Sequence, residues 1–98
     1  MTLRLTAVAE RDLISIWHYI ARDNLQAADI LLDDLGAASR NLEQFPSLGP
    51  SREDLGVGVR YLPCRTYLIL YRQIHGGIEV IRYLHGDRDL YGALTDFS

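Results

Sequence analysis

The chain has 98 residues, of which 48% are hydrophobic and 23% are charged. This size and balance predict one soluble globular domain over residues 1–98 and exclude an intrinsically disordered chain. The formal net charge of −3 argues against a protein that binds nucleic acid mainly through phosphate contacts. No apolar run reaches the roughly 18–20 residues of a membrane span, and the amino terminus lacks the apolar stretch of a secretory signal. We therefore expect a cytoplasmic protein without membrane contact.

All ten basic residues are arginines. Residues 1–56 carry five arginines and nine acidic residues, a net of −4, whereas residues 57–98 carry five arginines and four acidic residues, a net of +1. Guanidinium groups suit bidentate contacts with carboxylates and phosphates. GC-rich coding also favours arginine over lysine, so this bias alone does not indicate a ligand.

The single cysteine, Cys64, cannot form an intramolecular disulfide, and one thiol is not a metal site. His18 and His75 are expected on a helix and in a loop, without the spacing of metal ligands. The sequence therefore predicts neither a metal nor a cofactor.

The first half of the chain predicts a short strand followed by two helices. Leu3–Leu5 alternates in polarity, and Thr6 is a suitable N-cap for a helix over Ala7–Arg22. The apolar stripe of this helix is Leu13, Ile16, Trp17 and Ile20. After a break at Asp23-Asn24, a second helix runs to Pro46, with a stripe formed by Ala28, Leu31, Leu32, Leu35, Ala38, Leu42 and Phe45. Because the connection is short, helices of about fifteen and about twenty residues should form an antiparallel hairpin.

In the second half, the period of the apolar residues changes to two after a Pro-, Gly- and Ser-rich loop over 46–58. This alternation predicts three strands, at Val59–Leu62, Thr66–Arg72 and Ile78–His85. The connections are a turn at Pro63–Arg65 and a hairpin loop at Gln73–Gly77. The order is β-α-α-β-β-β, an α+β fold with a helical hairpin packed on a small antiparallel sheet.

Both faces of the predicted sheet are half apolar. The last strand places Ile78, Val80, Arg82 and Leu84 on one face and Glu79, Ile81, Tyr83 and His85 on the other. The helical hairpin can cover only one face, so we expect a partner to cover the second. The alternative is an open face lined by tyrosines whose hydroxyls stay in water.

Five strings, in this order, resemble ParE-type toxins of the RelE/ParE superfamily. They are Leu5–Leu13 with Ile16–Ile20, then Phe45–Gly49, Val59–Leu62, Tyr67–Arg72 and Ile78–Leu90. The resemblance covers essentially the whole chain and implies the RelE/ParE-like fold. It also implies a cytoplasmic toxin that is encoded beside a ParD-like antitoxin and silenced by it. In such a pair the antitoxin binds DNA with its N-terminal part and folds around the toxin with its C-terminal part. We therefore expect no direct DNA binding by the toxin alone.

The resemblance further implies a target, because ParE-type members poison DNA gyrase and block replication. The chain is thus expected to inhibit gyrase and to have no catalytic residue. The alternative is a RelE-type nuclease, which cuts mRNA on the ribosome with basic and aromatic side chains. The groups available for such cleavage are Arg60, Arg65, Arg82, His85 and Arg88. Gly86 stands where the nucleases often carry an aromatic residue, and the acidic net charge also disfavours this alternative. A detoxified interaction module is a third possibility.

Two sets of candidate site residues follow. The candidates for contact with the target lie around the end of the last strand and in the apolar tail behind it, and they are Arg82, His85, Arg88 and Tyr91. Local hydrogen bonds within the His85–Asp89 segment are the alternative explanation for its polar residues. The candidates for antitoxin binding are Trp17, Tyr67, Ile69, Tyr71, Ile81 and Tyr83.

Overall fold

The computed structural model describes residues 2–86. Its elements are β1 (Thr2–Leu5), α1 (Ala7–Ala21), α2 (Leu25–Gln44), a short 3₁₀ turn (Glu53–Leu55), β2 (Arg60–Cys64), β3 (Tyr67–Ile74) and β4 (Gly77–His85). This order confirms the predicted β-α-α-β-β-β fold. Neither helix in the described part of the chain has both the length and the apolar composition that crossing a membrane would require.

The two helices begin where their capping residues predict. The Thr6 hydroxyl accepts a hydrogen bond from the amide of Ala9 at 3.0 Å, and the Asn24 side chain accepts one from the amide of Ala27 at 3.0 Å. Each bond satisfies an amide that has no partner within its helix. Between the helices, the Trp17 indole donates to Asp29 at 2.8 Å.

The sheet has the strand order β1-β4-β3-β2. The pairs β2–β3 and β3–β4 are antiparallel as predicted, but β1 lies parallel to β4, so the sheet is mixed and not purely antiparallel. The whole helical hairpin separates β1 from the later strands, which allows the parallel arrangement. Close pairing of β1 also needs Gly77, because a Cβ there would collide with the carbonyl oxygen of Thr2.

The turn before β3 begins two residues later than predicted and is one residue shorter. Pro63 and Cys64 belong to β2, and the connection to β3 consists of Arg65 and Thr66. Proline is tolerated in β2 because this strand is at the edge of the sheet.

The main core lies between the helical hairpin and the sheet. Its fully buried members include Leu35 and Leu42 from α2, Ile69 and Tyr71 from β3, and Val80 from β4. Phe45, which the apolar pattern assigned to this stripe, is 57% exposed because the helix ends just before it. Burial of one helical stripe against one sheet face is the main stabilising interaction of the fold.

The opposite face of the sheet carries a second, smaller cluster formed by Val59, Leu70, Ile81 and Leu84, with Leu55 and Tyr61 packed against it. The loop before β2 folds back to supply part of this cluster, and the amide of Arg52 donates to the carbonyl of Val59 at 2.7 Å. The expectation that a partner must cover this face is thus wrong for its central residues, because the chain's own loop contributes to covering them.

A β-bulge interrupts the pairing of β3 with β4. Leu70 pairs with Arg82 and Tyr71 pairs with Val80, so Ile81 is the extra residue. As a result Ile81 belongs to the second cluster, whereas Val80 and Tyr83 belong to the main core. The strict alternation expected along this strand holds as far as Ile81 and is wrong after it, because Tyr83 lies on the same face as Val80.

Candidate partner-binding site

In the described part of the chain, the helical hairpin and one end of the sheet form the walls of an open groove of about 870 Å³. Both helices, the β2–β3 turn and the end of β4 contribute to its walls. The lining residues are Asp12, Ser15, Ile16, Tyr19, Ile20, Ala27, Leu31, Arg65, Thr66, Tyr67, Tyr83, Leu84 and His85. We call this feature the groove. Its size falls in the range of ligand and peptide sites.

The floor of the groove is apolar and its rim is polar. Ile16, Leu31 and Tyr67 are buried, and burial raises the pKa of the Tyr67 phenol above its ordinary value. On the rim, the ring of Tyr19 is 66% exposed, and the Arg22 guanidinium lies 5.4 Å from its centroid. An apolar floor with an aromatic and cationic rim favours binding of an amphipathic segment.

One wall of the groove is the edge of β4 beyond the point where β1 ends. There the hydroxyl of Thr6 donates to the carbonyl of Ile81 at 2.8 Å, and the amide of Tyr83 donates to the Asp12 carboxylate at 3.1 Å. Side chains of the segment that begins α1 thus satisfy backbone groups that a neighbouring strand would otherwise bind.

Arg82, predicted to contact a target, precedes Tyr83 in β4. Its Nε and Nη2 groups donate to the two Asp12 carboxylate oxygens at 2.8 and 3.0 Å. Only 6% of the Arg82 side chain and 14% of the Asp12 side chain are exposed. In this conformation Arg82 holds α1 against β4 and offers little surface to a partner.

His85 lies at the end of β4, where it is exposed and lines the groove. Its ring meets the Tyr67 ring edge to face, with 5.4 Å between the centroids. Arg88 and Tyr91, the other two residues predicted to contact a target, lie outside the described residues.

Most residues predicted to bind an antitoxin are already buried by this chain. Tyr67, Ile69, Tyr71, Ile81 and Tyr83 are each 8% exposed or less. Tyr67 and Tyr83 line the groove, so the structure brings these two together with His85. Trp17 is half-buried between the helices.

Two of the buried tyrosines use their hydroxyls within the fold. Tyr83 shares a hydrogen bond of 2.8 Å with Ser39, and Tyr71 donates to the carbonyl of Pro46 at 2.7 Å and accepts from the amide of Gly49 at 2.9 Å. Burial raises the pKa of both phenols, and the bonds from Ser39 and Gly49 partly oppose this. These tyrosines therefore hold α2 and the loop after it on the sheet.

The arginines from β2 onward that the structure describes are likewise engaged. Arg60 donates to the carbonyl of Gly49 at 2.7 Å, and Arg72 donates to the Glu79 carboxylate at 2.8 and 3.0 Å. Arg65 donates to Asp34 at 2.5 Å. Together with the Arg82–Asp12 pair, these contacts give each of these four arginines an acceptor within the same chain.

The backbone conformation of Arg65 in the β2–β3 turn is a feature that the sequence did not predict. Arg65 has a φ of +56°, a left-handed conformation that costs a non-glycine residue roughly 1–2 kcal/mol. A two-residue connection between antiparallel strands usually places glycine or asparagine at such a position. The arginine at this position lines the mouth of the groove.

The described residues show no sign of metal chemistry. Within residues 2–86, no three His, Cys, Asp or Glu side chains lie close enough together to hold a metal ion. Burial and, to a lesser degree, the charge of Asp34 raise the pKa of the Cys64 thiol, while Arg65 opposes the shift. The reactive thiolate is therefore disfavoured.

Comparison with known proteins agrees with the fold. The family model described as ParE toxin of type II toxin–antitoxin system, parDE, matches residues 3–90. Ten chains of solved structures match. One of them, titled as the chromosomal ParDE TA system from P. aeruginosa, has a TM-score of 0.73 and 25% identity over 87% of this chain and 95% of that chain. No curated protein sequence matches significantly.

Proposed function

Because the chain belongs to the ParE toxin family of type II toxin–antitoxin systems, we propose that it inhibits DNA gyrase and that a cognate, ParD-like antitoxin neutralises it. It would act in the cytoplasm, where replication takes place. The observation that carries the antitoxin part of the proposal is the groove, with its apolar floor and polar rim. The similar P. aeruginosa structure is titled as a ParDE system, which agrees with an antitoxin as the partner.

The arginine contacts support a toxin that acts by binding. Cleavage of RNA requires cations that stabilise the charge developing on the phosphate, together with an acid and a base. Of the arginines available for that role in the described residues, Arg82 is buried with Asp12, Arg65 is paired with Asp34, and Arg60 binds loop carbonyls. These engagements leave the sheet poorly suited to a polyanion.

The target contacts are assigned to the end of β4 and the segment that follows it. His85 is the exposed candidate within the described residues, and Arg88 and Tyr91 remain candidates from the sequence. An antitoxin needs a long apolar surface, whereas a large target can be held by a few anchoring side chains. Arg88→Ala should therefore abolish toxicity and leave antitoxin affinity largely intact. Growth inhibition and calorimetry on the same variant measure the two effects.

The experiment that tests the function is expression of the chain without its neighbouring gene. Gyrase poisoning predicts filamentous cells and a DNA-damage response, and the purified protein should block supercoiling of relaxed plasmid by gyrase. Coexpression of the neighbouring reading frame should restore growth. Rapid arrest of translation with cleaved mRNA, and continued replication, would support the RelE-type alternative. Normal growth with a stable complex would indicate a detoxified interaction module.

A further inference from the structure

Arg65 adopts a backbone conformation that is unfavourable for a residue with a side chain. Among residues 2–86 it is the only non-glycine residue with a positive φ. Glycine would adopt this conformation without steric cost, and asparagine would adopt it more easily than arginine does. Backbone strain of this kind concentrates at binding and active sites, so an observed outlier is a reason to look for a function.

The contacts of Arg65 within the chain do not explain why an arginine occupies this strained position. Its partner is Asp34, and 55% of the Arg65 side chain and 41% of the Asp34 side chain are exposed. Ion pairs as exposed as this one contribute little to stability. The contact uses Nε and Nη2 against a single carboxylate oxygen, whereas a guanidinium has five N–H donors. The pair can therefore orient the side chain while donors remain for another acceptor.

The position of Arg65 indicates what that acceptor is. The residue lies at the mouth of the groove with Thr66 and His85, and Tyr19 with its neighbouring Arg22 forms another part of the rim. The floor beneath them is apolar. An occupant that matches both features has apolar side chains for the floor and a carboxylate for the rim.

We propose that Arg65 is a specificity-determining residue that binds a carboxylate of the antitoxin segment whose apolar side chains occupy the groove. The inference rests on the proposed function and adds the chemistry of the partner. Nucleic acid fits less well, because the Asp34 carboxylate beside Arg65 would repel a chain of phosphates more strongly than it would repel a single carboxylate. The Asp12 carboxylate does not compete for Arg65, since it is bound to Arg82 and to the amide of Tyr83.

The test compares Arg65→Gly, Arg65→Asn and Asp34→Asn with the unsubstituted chain. The probe is the full-length protein encoded by the adjacent reading frame, titrated in a calorimeter. Arg65→Gly should have a Tm equal to or above that of the unsubstituted chain, because glycine relieves the strain. Its affinity for the probe should nevertheless fall by about tenfold or more, because a charged contact is lost. Arg65→Asn should behave in the same way, whereas Asp34→Asn should retain its affinity.

Salt provides a second readout. The affinity of the unsubstituted chain should weaken between about 0.05 M and about 0.5 M NaCl, and Arg65→Gly should show a smaller dependence. Equal affinities and salt dependences for the two proteins would overturn the assignment while leaving the antitoxin partnership intact. A lower Tm in both Arg65 variants, with affinity lost only in proportion to unfolding, would also overturn it.

Two further measurements on the same variants would reveal other occupants of the groove. If a 20-nucleotide RNA bound in a manner that depends on Arg65, the acceptor would be a phosphate and not a carboxylate, and the proposal would be refuted. Arg65-dependent self-association of the chain, seen by gel filtration, would assign the groove to a second copy and refute it as well. Failure of the unsubstituted chain to bind the adjacent gene product would reject the proposed function together with this inference.

Discussion

The buried Arg82–Asp12 pair allows a sharp test of whether Arg82 serves the fold or the target. Arg82→Met keeps much of the apolar volume of the side chain but leaves the Asp12 carboxylate without its cation, only 14% exposed. Removing one partner of a buried ion pair costs about 3–5 kcal/mol, because the other charge remains desolvated. The unfolding free energy of a whole domain is only about 5–15 kcal/mol, so this loss is large.

The expected change is measurable in two ways. For a domain of this size, 1 kcal/mol corresponds to roughly 4–8 °C in Tm, so a loss of about 3 kcal/mol lowers Tm by about 12–24 °C. In urea, the midpoint of unfolding should fall while the slope stays constant. Asp34→Asn is the matched control, because the Arg65–Asp34 pair is exposed and its loss should cost less than about 1 kcal/mol.

The double variant Asp12→Asn/Arg82→Met separates charge burial from loss of shape. Asparagine can still accept the hydrogen bond from the amide of Tyr83, and no buried charge remains. We expect the double variant to be more stable than Arg82→Met alone. Because a larger fraction of it is folded, it should also be more toxic than Arg82→Met. A loss below about 1 kcal/mol in Arg82→Met, combined with loss of toxicity, would refute the structural role and return Arg82 to the target-binding surface.

Three further predictions follow from single contacts. Tyr71→Phe removes the hydroxyl that accepts a hydrogen bond from the amide of Gly49, so it should lower the free energy of unfolding by about 1–3 kcal/mol. An unchanged midpoint in a urea titration would contradict this prediction. Gly77→Ala should expose the β1 amides to hydrogen exchange, because the new Cβ collides with the Thr2 carbonyl; retained protection there would refute the register. Burial raises the pKa of Tyr83 above 10, so the folded state keeps a proton that the unfolded state loses. The contribution of Tyr83 to stability should be constant below about pH 10 and be lost as pH rises above it. Stability should therefore fall less steeply above about pH 10 in Tyr83→Phe, which a urea series at about pH 8–11 can measure.

The parts of the fold that the sequence predicted well are those specified by neighbouring residues. Thr6 and Asn24 could be assigned as N-caps because a cap bonds an amide only three residues away. The end of α2 could be assigned because Pro46 cannot continue a helix. By contrast, Pro63 suggested a turn, and its inclusion in β2 became understandable only once β2 was found at the edge of the sheet.

The candidate site was harder to predict because its geometry depends on distant parts of the chain. The bulge at Ile81 shifts the register between strands, and period-two alternation carries no signal for it. Asp12 and Arg82 are 70 residues apart, so neither residue indicates locally that the other neutralises it. The exposed rim was missed for a different reason. Tyr19 was not among the candidates, although its place outside the apolar stripe of α1 could have identified it as an exposed aromatic residue.

The arginines illustrate why residue type alone misidentifies a site in this chain. Arg82 and Arg65 look equivalent in sequence, as cations near the ends of strands. Arg82 is 5% exposed and bound to two carboxylate oxygens, whereas Arg65 is exposed and held in a conformation that arginine does not favour. Loss of Arg82 leaves the Asp12 charge buried, whereas replacement of Arg65 by glycine relieves backbone strain, so only the first substitution should lower stability. Toxicity and affinity measured on arginine variants of this chain therefore identify a binding surface only when stability is measured on the same proteins.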